Sequence, residues 1–382
     1  MSAHPTPVTR RAPGKLFVAG EYAVTEAGIP ALLMAVDRHV TVTVAGPSGA
    51  QVTISSDLTA GPARLRWDAG RLVLADSGRP VGPSLAHVVA TVETVAKLLN
   101  EQGFVLPEIT VSVSSRLHNE GVKLGLGSSG AVGVATVDAV TAYCGLAPSA
   151  EQRYRLALLA AAAIGAAGSG GDLAAATWGG WIEYRAPDRP AVLALARRRG
   201  VTAALEEAWP GFAVTRLPAP ADLVLETGWT GAPASTTLML SDLHRSAWRG
   251  TPSHRRFVAA TTECVRSCVS ALTRGDGHAL LEPIRRARAE LARLDTETGI
   301  GIFTPSLTAL CDIAQELGGA AKPSGAGGGD CGIALLDDPN LVQELRHRWA
   351  AAGVQPVHLH AASERGSRDR LPGPSTPPSD AP

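Results

Sequence analysis

Residues 123–135 read KLGLGSSGAVGVA. Small residues crowd the first half, and an apolar run at helical spacing follows as far as Cys144. The pattern predicts a helix over 129–144, with a serine cap at its start and Gly145 as its stop. Gly125-Leu126-Gly127-Ser128-Ser129-Gly130 is the turn that opens it. A helix start offers unpaired N–H groups and the positive end of the helix dipole. Glycines let that backbone approach an anion closely, and Ser128 and Ser129 add hydroxyls for phosphate oxygens or Mg²⁺.

The same six residues satisfy G-x-G-x-x-G, which raises a dinucleotide-binding oxidoreductase as another class. That fingerprint follows directly on a hydrophobic strand. Here the polar or mixed stretch Ser115 to Lys123 intervenes, and Glu151, near the distance of the ribose-binding acid, sits at a helix start. A Walker A loop is absent too, since Gly14-Lys15 is followed by Leu16.

A second loop, Ser324-Gly325-Ala326-Gly327-Gly328-Gly329-Asp330, lies between a predicted helix and a predicted strand and permits another backbone anion nest. Of the 35 basic residues only Lys15, Lys97, Lys123 and Lys322 are lysine. Where arginine serves, this chain uses arginine. The lysines then mark candidate places for a compact, flexible ammonium. Lys15 follows Pro13-Gly14, Lys123 precedes the first loop and Lys322 the second, whereas Lys97 reads as a polar position on a helix. Phosphoryl transfer needs these parts: donors around phosphates, a metal, a cation at the transferred group and a residue to orient the acceptor. Lys15 is the candidate cation. Asp172, in Gly168-Ser169-Gly170-Gly171-Asp172 at a helix start, is the candidate orienting carboxylate.

The remaining pattern is mixed α and β. Strands are predicted at 16–24, 31–45, 50–55, 71–75, 108–114, 181–185, 211–217, 221–227, in CGIALL and at 354–360. Helices are predicted at 84–100 with Ser84 as cap, from Ser149 to about Ala163 through a Ser149/Gln152 capping box, at 253–274 and 276–295, from Thr304-Pro305 to Gly318, and from Asp338-Pro339 to about Ala352. The pattern restarts near residue 190. Residues 364–382 are proline-rich and almost without apolar side chains, which predicts a disordered tail.

With 382 residues, 45% of them hydrophobic, two domains are expected. Equal numbers of acidic and basic residues, 35 each, argue against a nucleic-acid or membrane-surface binder. The five cysteines form no metal or disulfide framework, and no signal peptide or membrane span is read, so the expectation is a cytoplasmic protein with reduced thiols. Trp181, Trp209 and Trp229 read as core packing rather than substrate contacts.

Together APGKLFVAGEYAV (12–24), KLGLGSSGAVGVA (123–135) and KPSGAGGGDCGIAL (322–335) resemble the three ordered motifs of the GHMP kinase superfamily, over roughly 10–363. Glu21-Tyr22, the lysine ahead of the first loop, GSGGDLAAATWGG (168–180), TGWTGAPAST (227–236) and Asp330-Cys331 are most similar to the branch of that family acting on (R)-5-phosphomevalonate. The resemblance implies an α/β (α+β) two-domain fold: a domain like ribosomal protein S5 domain 2 over 8–190 and a ferredoxin-like domain over 191–363. It implies ATP and Mg²⁺, and phosphorylation of phosphomevalonate to 5-diphosphomevalonate in isoprenoid biosynthesis, by a monomer or homodimer.

By motif, the resemblance assigns Gly125, Leu126, Gly127, Ser128, Ser129 and Gly130 to ATP, with Ser129 near Mg²⁺. Lys15 and Asp172 flank the transferred group, and Lys123, Ser169, Asp222, Ser324 and Gly325 fall on the substrate side. Mevalonate kinases carry a metal-binding Glu about eleven residues before the motif aspartate; here Ala161 stands there, and no residue from Leu156 to Gly171 is acidic. Alternatives within the family are a mevalonate or homoserine kinase and a diphosphomevalonate decarboxylase. Outside catalysis, a nucleotide- or sugar-binding sensor remains, against which the presence of both Lys15 and Asp172 weighs.

Overall fold

The structure, a computed structural model, describes residues 6–119, 121–166 and 168–362; the tail predicted over 364–382 lies outside them. The chain begins with strands β1 (Val8–Ala19), β2 (Pro30–Ala45), β3 (Val52–Ser56), β4 (Ala63–Asp68) and β5 (Arg71–Leu74). Helix α1 (Ala86–Glu101), β6 (Ile109–Ser115) and a short hairpin of β7 (His118–Asn119) and β8 (Val122–Lys123) follow. Next come helices α2 (Ser128–Tyr143), α3 (Ala150–Ala163) and α4 (Gly171–Trp178), then β9 (Trp181–Arg185), α5 (Arg189–Glu206) and β10 (Ala213–Leu217). The rest runs β11 (Val224–Trp229), α6 (Thr236–Arg245), α7 (Pro252–Arg274), α8 (Leu281–Thr298), α9 (Pro305–Glu316), β12 (Ala320–Pro323), β13 (Cys331–Leu336), α10 (Val342–Ala351) and β14 (Gln355–Val357).

Alternation in VTVTVA shapes the centre of the first sheet, where Val40, Val42 and Val44 are buried. β1 pairs along β2, and the sheet order is β10-β9-β2-β6-β3-β4-β5. β3 and β6 are parallel; the other pairs are antiparallel. The small-residue faces of α2 and α4 pack against β1 and β2, with Ala131, Ala135, Ala174 and Ala175 fully buried. The second sheet has the antiparallel order β12-β13-β11-β14. Counted within this unit, strands one to four lie in the order 2-3-1-4 with helices in the two crossovers, the split β-α-β of a ferredoxin-like fold. The expected fold class is therefore the observed one.

Several details differ from the sequence pattern. Ser84 does not cap α1; it lies in a 3-10 turn over Pro83–Leu85 that leads into the helix. No serine caps α2; the left-handed Gly127 does, and Ser128 is already helical. The Ser149/Gln152 box and the Thr304 cap form as expected. β4, α5 and α6 were not legible: ARLRWD hides its alternation behind charges, α5 carries an Arg-Arg-Arg-Gly break, and α6 follows a Gly/Pro segment. The break near 190 is the start of α5, where Asp188 accepts from Ala191 N and Pro190 sits in the first turn. Beyond it, β10 still pairs with β9, so the first sheet extends past residue 190.

The two units share one continuous apolar cluster, reaching from β1 and β2 to Cys268, Leu280 and Ile333. A buried ion pair crosses the same boundary. Lys322, 0% exposed on β12, donates to the Glu21 carboxylate beyond β1 and also to the Pro323 carbonyl at 2.7 Å. Glu21 in turn accepts from Gly325 N at 3.4 Å. Ser324 Oγ accepts from Phe17 N at 2.9 Å and donates to Phe17 O at 3.0 Å, and the Tyr22 hydroxyl donates to Ala326 O. The first and third sequence motifs are thus fastened together.

Removing one partner of such a pair leaves the other charge buried and uncompensated, at about 3–5 kcal/mol. Lys322→Met is expected to lower the unfolding free energy by about that much in urea titration. The double variant Glu21→Leu/Lys322→Met should lose less than Lys322→Met alone. A single-variant loss below about 1 kcal/mol, as at exposed ion pairs, would remove the pair's structural role.

Candidate active site

The site begins with an approach of two backbones. A Cβ on Gly14 would lie 2.7 Å from the Leu126 carbonyl oxygen and 2.7 Å from Leu117 Cδ2, so only glycine lets β1 come this close to the 124–127 turn. The strand register shifts between Pro13 and Lys15 at that point. Lys15 N then donates to Leu126 O at 2.8 Å, and Lys15 Nζ reaches Gly125 O at 3.0 Å. The Pro-Gly-Lys motif therefore delivers an ammonium, 7% exposed, onto the rim of the glycine turn.

Two helix N-termini open beside it. Helices α3, α5, α6, α7 and α9 begin with a Ser, Thr or Asp side chain that accepts a first-turn N–H. α2 and α4 begin instead with left-handed glycines, Gly127 and Gly170, and no side-chain cap. The first-turn amides of α2 remain available to an anion, while at α4 Gly171 N makes a long bond to Ser169 Oγ at 3.3 Å. The two starts nearly touch: a Cβ on Gly130 would sit 2.5 Å from Asp172 Oδ2. Asp172, in the first turn of α4, is thereby fixed against the α2 start and faces Lys15.

These groups line a cavity of about 380 Å³ between the two units. Lys15, Lys123, Gly125, Gly127, Ser128, Ser129, Gly130, Ser169, Asp172 and Gly325 all border it. Three expected residues do not. Leu126 turns its side chain into the core, 1% exposed, and its carbonyl holds Lys15 N. Ser324 spends its hydroxyl on the Phe17 backbone. Asp222 is exposed in the loop before β11, alongside Gly277. Trp181, Trp209 and Trp229 are buried and border no part of the cavity. Ala161 does border it, and its methyl group offers no ligand to a metal there.

The structure adds residues that sequence patterns did not single out, His87 and Thr91 from α1, Thr237 at the start of α6 and Arg189, and it brings in Glu21, Tyr22, Thr236 and Asp330, which were quoted in motifs but given no place at the site. Asp330 had one local signal, a carboxylate ending a run of glycines. It holds a left-handed backbone, φ 54°, and accepts from Ala234 N at 2.9 Å. Its side chain abuts Gly125, so it ties the α6 approach to the phosphate turn.

Burial dominates the electrostatics. It pushes the Lys15 ammonium below its ordinary value, against the fields of Asp172, Asp330 and Glu21. It pushes the Asp330 carboxyl up, against the Ala234 N–H, Lys15 and Lys123. It also pushes His87 down, so that ring is neutral at pH 7. Among the described residues no group of three or more His, Cys, Asp or Glu is placed to hold a metal ion.

Family models for the GHMP kinases N terminal domain and the GHMP kinases C terminal match residues 87–180 and 268–355. The phosphomevalonate kinase of Streptomyces sp. (strain CL190) is 60% identical over 365 residues, covering 94% of this chain and 98% of that one. The chain belongs to the GHMP kinases, in the phosphomevalonate kinase family. Solved structures agree with the assignment. Streptococcus pneumoniae phosphomevalonate kinase in complex with phosphomevalonate and AMPPNP aligns with this GHMP kinase at a TM-score of 0.81 and 28% identity, covering 93% of this chain and 99% of that one. The Lin0012 protein from Listeria innocua aligns at 0.86 and 29%, covering 94% and 99%.

The buried Lys15 gives this GHMP kinase a testable pH dependence. A lowered pKa means the ammonium is lost at a lower pH than in free lysine. In kcat/KM for the nucleotide, which reports the free enzyme, activity should fall as pH rises, with a midpoint below the ordinary lysine value of 10.5. Lys15→Arg should abolish that limb in whatever activity it keeps, because guanidinium does not titrate there. An unchanged limb in Lys15→Arg would show that another group is responsible.

Proposed function

We propose that this enzyme transfers the γ-phosphoryl group of ATP to the phosphate of (R)-5-phosphomevalonate, giving ADP and (R)-5-diphosphomevalonate. The observation that carries the reading is the convergence of two uncapped helix starts, Lys15 and Asp172 on one cavity, in a chain 60% identical to a phosphomevalonate kinase. The complex of the Streptococcus pneumoniae enzyme with phosphomevalonate and AMPPNP supports the same pair of substrates.

A phosphomonoester is mostly dianionic at pH 7, its second pKa being about 6. Its oxygen needs no base to become a nucleophile. The obstacle is the meeting of two anions, which at ~4 Å repel by about 4 kcal/mol at an effective dielectric of 20. Lys15, Lys123 and the first-turn amides of α2 and α4 offset that repulsion. In this reading the α2 start and the 125–130 turn hold the ATP phosphates, while Lys123 and Ser169 lie on the acceptor side. Asp172 orients Lys15 and the reacting phosphates and removes no proton.

Mg²⁺ fits these residues as an ion carried by the nucleotide. Such ions keep several waters and take one or two protein ligands beside substrate phosphates. The Ser129 hydroxyl at the start of α2 would hold it, and the metal would neutralise charge on the phosphates. Five unpaired cysteines support a reducing compartment, and we assign the enzyme to the cytoplasm.

In an ADP-release assay with ATP and Mg²⁺, phosphomevalonate should support turnover, and mevalonate, diphosphomevalonate and homoserine should not. Asp172→Asn should lower kcat by less than about 10⁴-fold, the upper range for acid–base catalysis. A larger loss would make Asp172 a base. Turnover on mevalonate in place of phosphomevalonate would overturn the acceptor.

A further inference from the structure

Gly327, Gly328 and Gly329, the middle of the second glycine loop, border no part of the cavity. They face another segment of the chain. A Cβ on Gly327 would lie 2.5 Å from the Ile302 carbonyl oxygen, one on Gly328 2.9 Å from Met239 Sδ, and one on Gly329 2.6 Å from the Ala232 carbonyl oxygen. Ile302 lies in the loop before α9, Met239 on α6, and Ala232 in the loop that joins β11 to α6. The run is bare so that α6 and its approach can lie flush against it. Met239 completes the contact in an apolar cluster with Tyr22, Leu240 and Ile302.

Asp330, at the end of the run, fastens that approach at three residues. Its Oδ1 accepts from Ala234 N at 2.9 Å, its N donates to Ala232 O at 2.8 Å, and its carbonyl accepts from Thr230 N at 3.0 Å. The Thr230 hydroxyl lies 3.1 Å from the Asp330 carbonyl oxygen and 3.2 Å from Ala232 O. On its other side the carboxylate abuts the phosphate turn, where a Cβ on Gly125 would be 2.6 Å from Oδ2. Next in the chain, Ser235 caps α6, and Thr236, Thr237 and Leu240 present that helix to the cavity as a wall. Only Met239, Leu240 and Leu243 of its 10 residues are buried, and Leu238 is 64% exposed. A helix so short, with so narrow a buried edge, is marginal alone. The bonds at its approach therefore decide where it sits.

We propose that Asp330 is a positioning residue: with the glycine run as a seat, it holds α6 down as the wall that keeps water from the transferred phosphoryl group. The assignment rests on the phosphoryl-transfer reading above. Where α6 lifts, water takes the place of the acceptor oxygen, attacks the γ-phosphorus, and yields ADP and inorganic phosphate.

The test, run with ATP, Mg²⁺ and phosphomevalonate, follows two products and one helix. Diphosphomevalonate formed against inorganic phosphate released gives a transfer-to-hydrolysis ratio, and hydrogen exchange over residues 232–243 reads the hold on α6. Asp330→Gly keeps the left-handed backbone and loses the acceptor. The ratio should fall by roughly 10-fold or more, the scale of a hydrogen bond to a charged group, and exchange over α6 should quicken by a similar factor. Asp330→Asn also tolerates that backbone and keeps a carbonyl oxygen for Ala234 N, so it should stay within about 5-fold of the parent in both readouts. Thr230→Val removes one hydroxyl from the same loop and should shift both readouts more mildly in the Asp330→Gly direction. Exchange in α2 and α8 shows whether each variant is folded. If Asp330→Asn loses the ratio as fully as Asp330→Gly while α6 keeps its protection, the carboxylate acts through its charge on Lys15, which overturns the proposal. Loosening of α6 with an unchanged ratio overturns it as well, and so do unmoved readouts in Asp330→Gly or, should that variant be unfolded, in Thr230→Val. A parent that forms no diphosphomevalonate overturns the acceptor reading, and this assignment with it.

Discussion

The Glu21–Lys322 ion pair is the constraint on which the site depends. It lies where the first and third motifs meet, wholly out of water, and joins the end of β1 to the strand that precedes the glycine run. Burying two charges is costly, and a buried pair is retained where it sets geometry more than where it adds stability. Here the geometry is plain. The same few residues carry the Ser324–Phe17 bonds, the Tyr22–Ala326 bond and the Gly325–Glu21 bond. The third motif thus works largely as a fastener, bringing Asp330 and Gly325 to the cavity edge while Lys322 and Ser324 stay behind it.

Function then arises from what the chain leaves unsatisfied. Helices α3, α5, α6, α7 and α9 begin with side-chain caps; α2 and α4 begin with left-handed glycines instead. A glycine in place of a capping side chain forgoes only a few tenths of a kcal/mol of helix stability and leaves amides for a ligand. The close contact of Gly130 with Asp172 sets the two open ends side by side. Lys15 is buried in the fields of Asp172, Asp330 and Glu21, which oppose but do not outweigh the burial that disfavours its charge. Such a site binds anions with fixed dipoles and needs little reorganisation.

Much of this was legible in sequence because its physics is local. Glycine turns, strand alternation, the Ser149/Gln152 box and Thr304-Pro305 each announce themselves within a few residues. The lysine bias singled out Lys15 and Lys123, which border the cavity, and Lys322, which is instead a buried strut. Ser324 and Asp222 show the limit. Both stand in motif-like stretches, yet which way a hydroxyl or carboxylate faces depends on long-range packing. Arg189 shows the converse. Arg-Pro after an aspartate reads only as a helix start, and its bond to Gly168, 21 residues away, exists only in the folded chain.

The central claim is that two phosphates are brought together here and joined. Phosphorus-31 NMR of enzyme, ATP, Mg²⁺ and phosphomevalonate observes the bond itself. The account predicts loss of the monoester singlet and growth of two mutually coupled doublets of a terminal diphosphate, matched by ADP. A monoester singlet that persists while ATP is consumed would contradict it, because the phosphoryl group would then have gone to a different acceptor.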